Sequence, residues 1–580
     1  MARKIKLGPR PRPQPSMIRT FAIPEILFLI CEQVEQSDLA RLLPTSRALF
    51  YCLLPLVWKS LPVTAPEILM RLLPNGDTHL KHYLKNKHIK DIEPFDSESL
   101  VRFNLYAPYV KELALSRSSN IIWKKLLKLV DTRPILPNLE ILKVLLASKK
   151  SNLTYTTYLI PCLTPTLTKI DYVYWNPYVN PHLLIKSVSS VARQCPDIHS
   201  LRIGFTAFDL IMEPIYAGKL AESLDRLQNL RVLELGPVAL DPKVITVLGG
   251  LPSLESLTLV EVVHPTEIKY SSGGLWKCTD VFPLKGSFPN LQHLGVDCCP
   301  YELGLMDELW KVAALFHRLT SISIRMTTHK PITQPQFHDF ICTIYRLIPS
   351  ITSLSMVFPN QSGPMSLLSP EIVDILAKLP LQRLKLGGRE HTHADVTPGC
   401  NSERFALAFP RMEYLRIDGC YFEFNDLASF AKHMPHLQKL SLRINIGPSW
   451  PSRDELSLLV LTPSSSQIYF DLQIFHRILL DEDLDFEPSV WNNDNKDVED
   501  IAAGLHALWP KGVVCEADKL PRKTGMVSCV DEVNEELGQL HNIDGHDGHM
   551  AMMPPKRKLP HWLQAQELVD FHPDSGMRSI

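Results

Sequence analysis

No stretch of this 580-residue sequence reaches the roughly 18 uninterrupted apolar residues of a membrane span. Its opening residues, MARKIKLGPRPRPQP, lack the apolar core of a secretory signal. Net charge is also missing. The 61 Lys and Arg against 62 Asp and Glu leave −1, which predicts no general affinity for nucleic acid or an anionic membrane. The 12 cysteines include no C-x-x-C pair, and several fall on apolar faces. They read as buried thiols of a reducing compartment, so the chain is expected to be intracellular, cytoplasmic, nuclear or both. Catalytic signatures are absent too: there is no G-x-x-x-x-G-K-[ST], no H-E-x-x-H, no G-x-S-x-G and no strand-linked G-x-G-x-x-G. The segment SSGGLWKC has a Gly pair before Lys at the wrong spacing for a phosphate. His541, His546 and His549 are either a weak metal-holding group or part of a solvated tail. No enzyme, cofactor or metal is expected.

What is present is a period. The stretches FPRMEYLRIDGC and FPNLQHLGVDCC nearly match, and the pattern L-x-x-L-x-L recurs along most of the chain. Its middle apolar residues are Leu113, Leu142, Ile170, Leu201, Leu233, Leu257, Leu294, Ile322, Leu354, Leu384, Leu415 and Leu440, roughly 30 residues apart. Proline stands two residues before the first apolar position at Pro108, Pro137, Pro165, Pro196, Pro252, Pro289, Pro349, Pro410 and Pro435. Lacking an N–H and restricting the residue before it, proline ends one element and begins an extended one. The segments ahead of it are amphipathic at helical spacing, as in Val244, Val247, Leu248 and Leu251, or Leu427, Phe430, Ala431 and Met434. Asp241 and Ser369 read as N-caps with proline at the first helical position.

Each unit is therefore a helix, a proline corner and a short strand. One unit cannot bury its apolar stripe alone, so neighbours must stack on a shared core. This resembles the leucine-rich repeat family in its long, irregular, helix-containing style, with Cys299 and Cys420 similar to the cysteine-containing subclass. The resemblance implies an α/β solenoid of about 12 helix–strand repeats with a parallel, concave sheet.

The expected layout follows from where the period holds. Residues 1–20 form a basic, proline-rich disordered arm, 62–104 a helical linker or N-cap, and 105–445 the repeats. Residues 446–520 hold terminal irregular repeats, with VEDIAAGLHALWP a closing helix and GVVCEAD a closing strand. Residues 521–580 read as a disordered tail, and 261–287 as a protruding loop. The arm and PPKRKLP are either nuclear-import signals or solvated charge.

Residues 21–61 lie outside the period. Ile23, Ile26, Leu27, Ile30 and Val34 trace a helix face behind Pro24; Ser37 is placed to cap a second helix carrying Leu39 and Leu42. Pro44-Thr45-Ser46 opens a third with Leu49, Phe50 and Leu53, and Pro55 is expected to break it before Leu56 and Trp58. Such a small bundle is marginal alone and has more apolar positions than its own core can use, so it should lean on a partner.

At Ile23-Pro24, Glu25, Ile26-Leu27, Ile30, Asp38-Leu39, Ser46, Leu56, Trp58 and Leu61 the segment resembles the F-box. Ile stands where the family has its first Leu, and one spacer is missing between Pro24 and Glu25. The resemblance implies a substrate receptor of an SCF-type cullin–RING ubiquitin ligase. Pro24, Ile26, Leu27, Ile30, Leu39 and Trp58 would dock the small helical adaptor that links to the cullin, and the repeats would capture a target protein. The alternative is a repeat scaffold whose N-terminal bundle is only a cap.

Because strand side chains alternate, residues beside each middle Leu share the face opposite the core. In the earlier repeats that face is mixed, with Glu112, Lys143, Lys169, Asp171, Arg202, Glu234 and several Ser. The last three carry Arg383 and Lys385, then Tyr414, Arg416 and Asp418, then Lys439 and Arg443. This is either a solvated basic face or a pocket for an acidic or phosphorylated segment, with Arg383 and Arg416 as forked ligands beside Tyr414.

Overall fold

The computed structural model describes residues 24–540, apart from 32, 35, 85–94, 97, 117–119, 131–133, 146–155, 176–180, 207–213, 263–285, 299–305, 307–308, 327–331, 363–367, 390–400, 446–449, 476–494 and 517–532. The basic arm, most of the expected 261–287 loop, the three tail histidines and PPKRKLP therefore lie outside the described residues. The chain divides into two compact units, one ending at Leu230 and one beginning at Arg231, which also includes Thr206–Phe208. No helix among the described residues is long and apolar enough to cross a membrane.

The first unit opens with three helices, Pro24–Cys31, Gln36–Leu42 and Arg47–Val57. Its strands are β1 (Ser60–Leu61), β2 (Glu112–Ser116), β3 (Ile141–Leu145), β4 (Lys169–Trp175) and β5 (Ser200–Thr206). They pair in parallel, in chain order, with Leu61 opposite Leu113, Leu113 opposite Leu142, Leu142 opposite Ile170 and Ile170 opposite Leu201. Between β1 and β2 stand the helices Ala65–Met70, Gly76–Leu84 and Val101–Tyr106.

The second unit repeats the scheme through β6 (Val232–Leu235), β7 (Ser256–Val262), β8 (His293–Cys298), β9 (Ser321–Met326) and β10 (Ser353–Ser362). It continues with β11 (Arg383–Arg389), β12 (Tyr414–Phe422), β13 (Lys439–Asn445), β14 (Ile468–Phe475) and β15 (Val513–Glu516). Again the middle apolar residues meet in one row, Leu233, Leu257, Leu294, Ile322, Leu354, Leu384, Leu415 and Leu440, extended to Phe470 and Cys515. None of the twelve residues that mark the period is more than 1% exposed. Each such burial contributes about 1.5–3 kcal/mol, so the periodic Leu is the chief local reason that each unit stacks on the next.

The prolines act through a turn. In Leu136-Pro137-Asn138-Leu139 the Leu139 N–H donates to the Leu136 carbonyl, and the same bond recurs from Met412 to Phe409 and from Leu437 to Met434. Proline thus sits at the second turn position, where its fixed φ suits the bend and no N–H is needed. The next turn residue then reaches the preceding repeat: the Asn138 amide donates to the Pro108 carbonyl (2.9 Å) and the Asn290 amide to that of Pro252 (2.6 Å). Asp241 and Ser369 accept from Lys243 N and Ile372 N, capping helices Pro242–Gly250 and Pro370–Leu376 as their sequence context indicates. Consecutive helices also join directly, as in the Arg404 guanidinium on Asp374 at 2.9 Å.

Three expectations are corrected. Pro55 does not break the third helix, which runs on to Val57. The proline is exposed and less than a turn from the end, where losing one N–H bond is tolerated. Ser37 lies inside the helix Gln36–Leu42 rather than ahead of it; the Ser46 hydroxyl caps the following helix by accepting from Leu49 N. Within the expected disordered tail, residues 533–540 are helical, with Val533 and Leu537 buried. Two apolar residues one helical turn apart are too few to stand out from a polar segment, yet they seat the turn. Asn534 Oδ1 accepts from Cys515 N–H (2.9 Å) and its amide donates to the Cys515 carbonyl (2.8 Å), so one side chain bonds β15 as a further strand residue would.

Candidate functional site

Two surfaces take up the residues that the sequence singles out. The first is the N-terminal bundle. Its core is Leu27, Cys31, Leu39 and Leu53, with Val34, Leu43, Leu49, Cys52, Leu56 and Val57 packed against it. The Gln36 amide donates to the carbonyls of Val57 (2.6 Å) and Ser60 (3.0 Å), tying the second helix to the end of the third. Burial, with the neighbouring Cys52, raises the Cys31 thiol above its ordinary pKa, so it behaves as an apolar filler.

The helix Pro24–Cys31 divides its described apolar side chains between two faces. Leu27 and Cys31 turn inward, whereas Ile26, Leu29 and Ile30 are 36%, 63% and 42% exposed. Leu42 and Tyr51 are exposed as well. Of the residues expected to dock an adaptor, Leu27 and Leu39 therefore sit in the bundle's own core, while Ile26 and Ile30 face outward. Pro24 starts the first helix, and its side chain lies outside the described set. Trp58 is half-buried, its ring 4.5 Å from that of Tyr106. Sequence periodicity misses Leu29, because a stripe phased on Ile23 runs through Ile26, Leu27 and Ile30, whereas the exposed face is the i, i+3, i+4 set that starts at Ile26.

The second surface is the polar face of the sheet, where rows of side chains run across the strands. In the first unit these rows close on themselves. Lys143 on β3 pairs with Glu112 on β2. Lys169 lies 3.0 Å from Asp171, and Arg202 on β5 lies 3.6 Å from the same carboxylate, Asp171 and Arg202 both being 5% exposed in their side chains.

In the second unit one row reads His293, Ser321, Ser353, Arg383, Tyr414 and Lys439, and the next reads Gly295, Ser323, Ser355, Lys385, Arg416 and Ser441. The structure thus brings Arg383, Lys385, Tyr414, Arg416 and Lys439 onto adjacent strands, as the period implies. Arg443 does not join those rows: it stands opposite Tyr421 beyond a register shift in β12, and its side chain lies outside the described set. Arg416 Nε donates to both Asp418 oxygens at 3.0 Å, and the Lys439 ammonium lies 6.0 Å from the centre of the Tyr414 ring. A Cβ on Gly387 would come within 3.2 Å of Val357 and 3.4 Å of Asp418 Oδ2, so glycine there leaves the carboxylate its place beside Arg416.

Two titratable groups stand on β8. His293 is buried, hydrogen-bonded to the Ser321 hydroxyl at 3.1 Å, and burial lowers its pKa to about 4. Burial raises Asp297 to about 6, against the pull of Arg325 opposite it. A neutral buried imidazole bonded to a serine is a packing group, out of reach of a substrate. Among the described residues no group of three or more His, Cys, Asp or Glu could hold a metal ion.

No protein-family profile matches the chain, and no curated protein does. Among solved structures, it is similar to the leucine-rich repeat-containing protein LegL7 from Legionella pneumophila, at 14% identity and a TM-score of 0.29, over 70% of this chain and 91% of that one. It is also similar to the Rad7 and Elc1 complex in yeast, at 11% identity and a TM-score of 0.29, over 63% of this chain and 81% of that one. A third similarity is to the TLR13–ssRNA13 complex, at 11% identity and a TM-score of 0.24, over 63% and 58% of the two chains.

Proposed function

We propose that the chain is a non-catalytic substrate receptor of an SCF-type cullin–RING ubiquitin ligase, its residues 21–61 an F-box that docks the adaptor and its repeats the surface that captures a target protein. The observation that carries this reading is the divided first helix. A bundle that has already closed its core on Leu27, Leu39 and Leu53 still turns Ile26, Leu29 and Ile30 outward on one face. A contiguous exposed aliphatic face on a marginal bundle is what an obligate docking surface requires. It stands directly ahead of stacked repeats, at the residues whose pattern resembles the F-box. In this role the chain supplies proximity alone: it holds the target near the transferring enzyme, and the chemistry belongs to other subunits.

The test is copurification of the full chain with the adaptor. Leu29→Asp with Ile30→Asp should lower adaptor affinity at least about a hundredfold, because each removes roughly 1.5–3 kcal/mol of apolar burial. Both residues are exposed, so the bundle and repeats should stay folded. Adaptor binding that survives this pair leaves the repeat-scaffold reading in its place.

A further inference from the structure

We infer that the apolar loop ahead of β14 is the seat of the chain's own C-terminal segment, residues 559–571, which closes that end of the repeats. The inference is independent of the adaptor reading, which concerns residues 21–61. Leu458 and Leu459 are 81% and 44% exposed, and Val460 is fully so. Elsewhere among the described residues no more than two exposed large apolar residues are consecutive, Leu29 and Ile30. A contiguous apolar run on the surface marks a place where something docks.

The loop is held at both ends. On its N-terminal side Trp450 Nε1 donates to the Asp500 carbonyl (3.1 Å), and the Arg453 N–H donates to Asp500 Oδ1 (2.9 Å). Ser452 and Glu455 close a capping box on the helix Arg453–Leu456, and the Leu458 and Leu459 N–H groups continue it by donating to the Glu455 and Leu456 carbonyls. On its C-terminal side the Ser464 N–H donates to the Leu508 carbonyl (2.8 Å). Both anchors, Asp500 and Leu508, belong to the helix Asn495–Leu508. Ordering apolar residues without burying them gains nothing, so a covering surface is what repays the order.

The occupant is argued from where the described chain stops. β15 pairs with β14, and Asn534 bonds both backbone groups of Cys515, so Leu540 lies at the end of the repeats where Leu508 anchors the loop. Residues 541–558 alone can reach up to about 60 Å, against strands about 4.8 Å apart. Beyond Leu540 the only aromatic rings of Phe, Tyr or Trp are Trp562 and Phe571, and they fall in LPHWLQAQELVDF with Leu559, Leu563, Leu568 and Val569. Lys556, Arg557 and Lys558 lead into that stretch, and Asp454 and Glu499 are exposed beside the loop. A solenoid needs a cover for its last apolar surface, and this stretch has the apolar side chains to supply one.

The test is hydrogen exchange on the full chain, read at residues 456–461 and 559–571. Trp562→Asp with Leu563→Asp should speed exchange at 456–461 at least about tenfold, and Leu458→Asp with Val460→Asp should do the same at 559–571. Leu458→Ser with Val460→Ser should act in the same direction without adding charge. Exchange in β11–β13 should stay unchanged in every variant, which shows that the repeats remain folded. Exchange at 456–461 that ignores the tail variant overturns the inference, because another part of the chain or nothing then covers the loop. Protection of the loop that rises with protein concentration overturns it as well, since a second copy would then be the occupant.

Discussion

The polar faces of the two units are built from the same strand positions and put charge to different uses. In the first unit each cation faces an acid on its own or the neighbouring strand: Lys143 with Glu112, and Lys169 and Arg202 with Asp171. In the second unit Arg383, Lys385, Arg416 and Lys439 gather on three neighbouring strands, with Asp418 on Arg416 and Asp471 one strand further on. The helix–strand scaffold is indifferent to this choice, because its Leu row points the other way. Only the faces can differ, so that is where function can be written. A self-neutralised row stiffens the sheet and offers a partner little. A row in which cations gather weakens the sheet slightly through their mutual repulsion.

The largest expected effect tests the first half of that contrast. Asp171→Ala removes the carboxylate beside both Lys169 and the buried Arg202. Leaving buried cationic charge without it should cost about 3–5 kcal/mol, measured by denaturant unfolding. Arg383→Ala on the half-buried second face should cost under about 1 kcal/mol. Equal losses at the two positions would erase the distinction between the two faces.

An intermediate effect concerns the edge of the second face, at β8. Burial holds His293 at about 4, so between pH 6.5 and 4 the unfolded chain binds a proton there that the folded chain refuses. Stability from this group is present above pH 6.5 and lost as pH falls, by on the order of 3 kcal/mol. Asp297, raised to about 6, has the opposite slope: the folded chain keeps a proton that the unfolded chain has lost, so stability falls as pH rises from about 4 to 6. His293→Gln should therefore flatten or invert the acid loss, and Asp297→Asn should steepen it. Thermal midpoints across pH 4 to 7 that move identically in both variants would show that neither group governs the slope.

How much of the molecule is legible in its sequence depends on whether a residue acts through the period or through a neighbour. Leu294 and Leu415 announce themselves because every unit needs one such residue at the same place, and the parallel register then follows. The same register brings Arg383, Lys385 and Arg416 together from their spacing alone. What escapes the pattern are choices settled by rotamers and one-off contacts. Nothing in it says that Arg416 turns to Asp418, that Asn534 completes β15, or that Leu29 rather than Leu27 faces outward. Asn534 is a single polar residue in a polar segment, and only the two backbone groups of Cys515 that it bonds give it meaning.

The smallest expected effect is the sharpest test of the second face. Arg416 and Asp418 are 20% and 21% exposed in their side chains, so the pair lies between a solvated ion pair and a buried one. Asp418→Asn keeps the shape and one hydrogen-bond acceptor but removes the acid lying on the cation row. Stability should drop by less than about 1 kcal/mol at ordinary salt. The loss should shrink as salt rises from about 0.05 to about 0.5 M, because what the variant gains is repulsion among Arg383, Lys385, Arg416 and Lys439, which salt screens. Gly387→Ala is the companion change, since its methyl would crowd Asp418 Oδ2 and Val357 and disturb the same pair without altering charge. If the two variants behave alike, geometry governs the site, and the face is a packed surface like that of the first unit. If only Asp418→Asn becomes salt-sensitive, then the charge of Asp418, and not the packing around it, offsets the repulsion among the cations of the row.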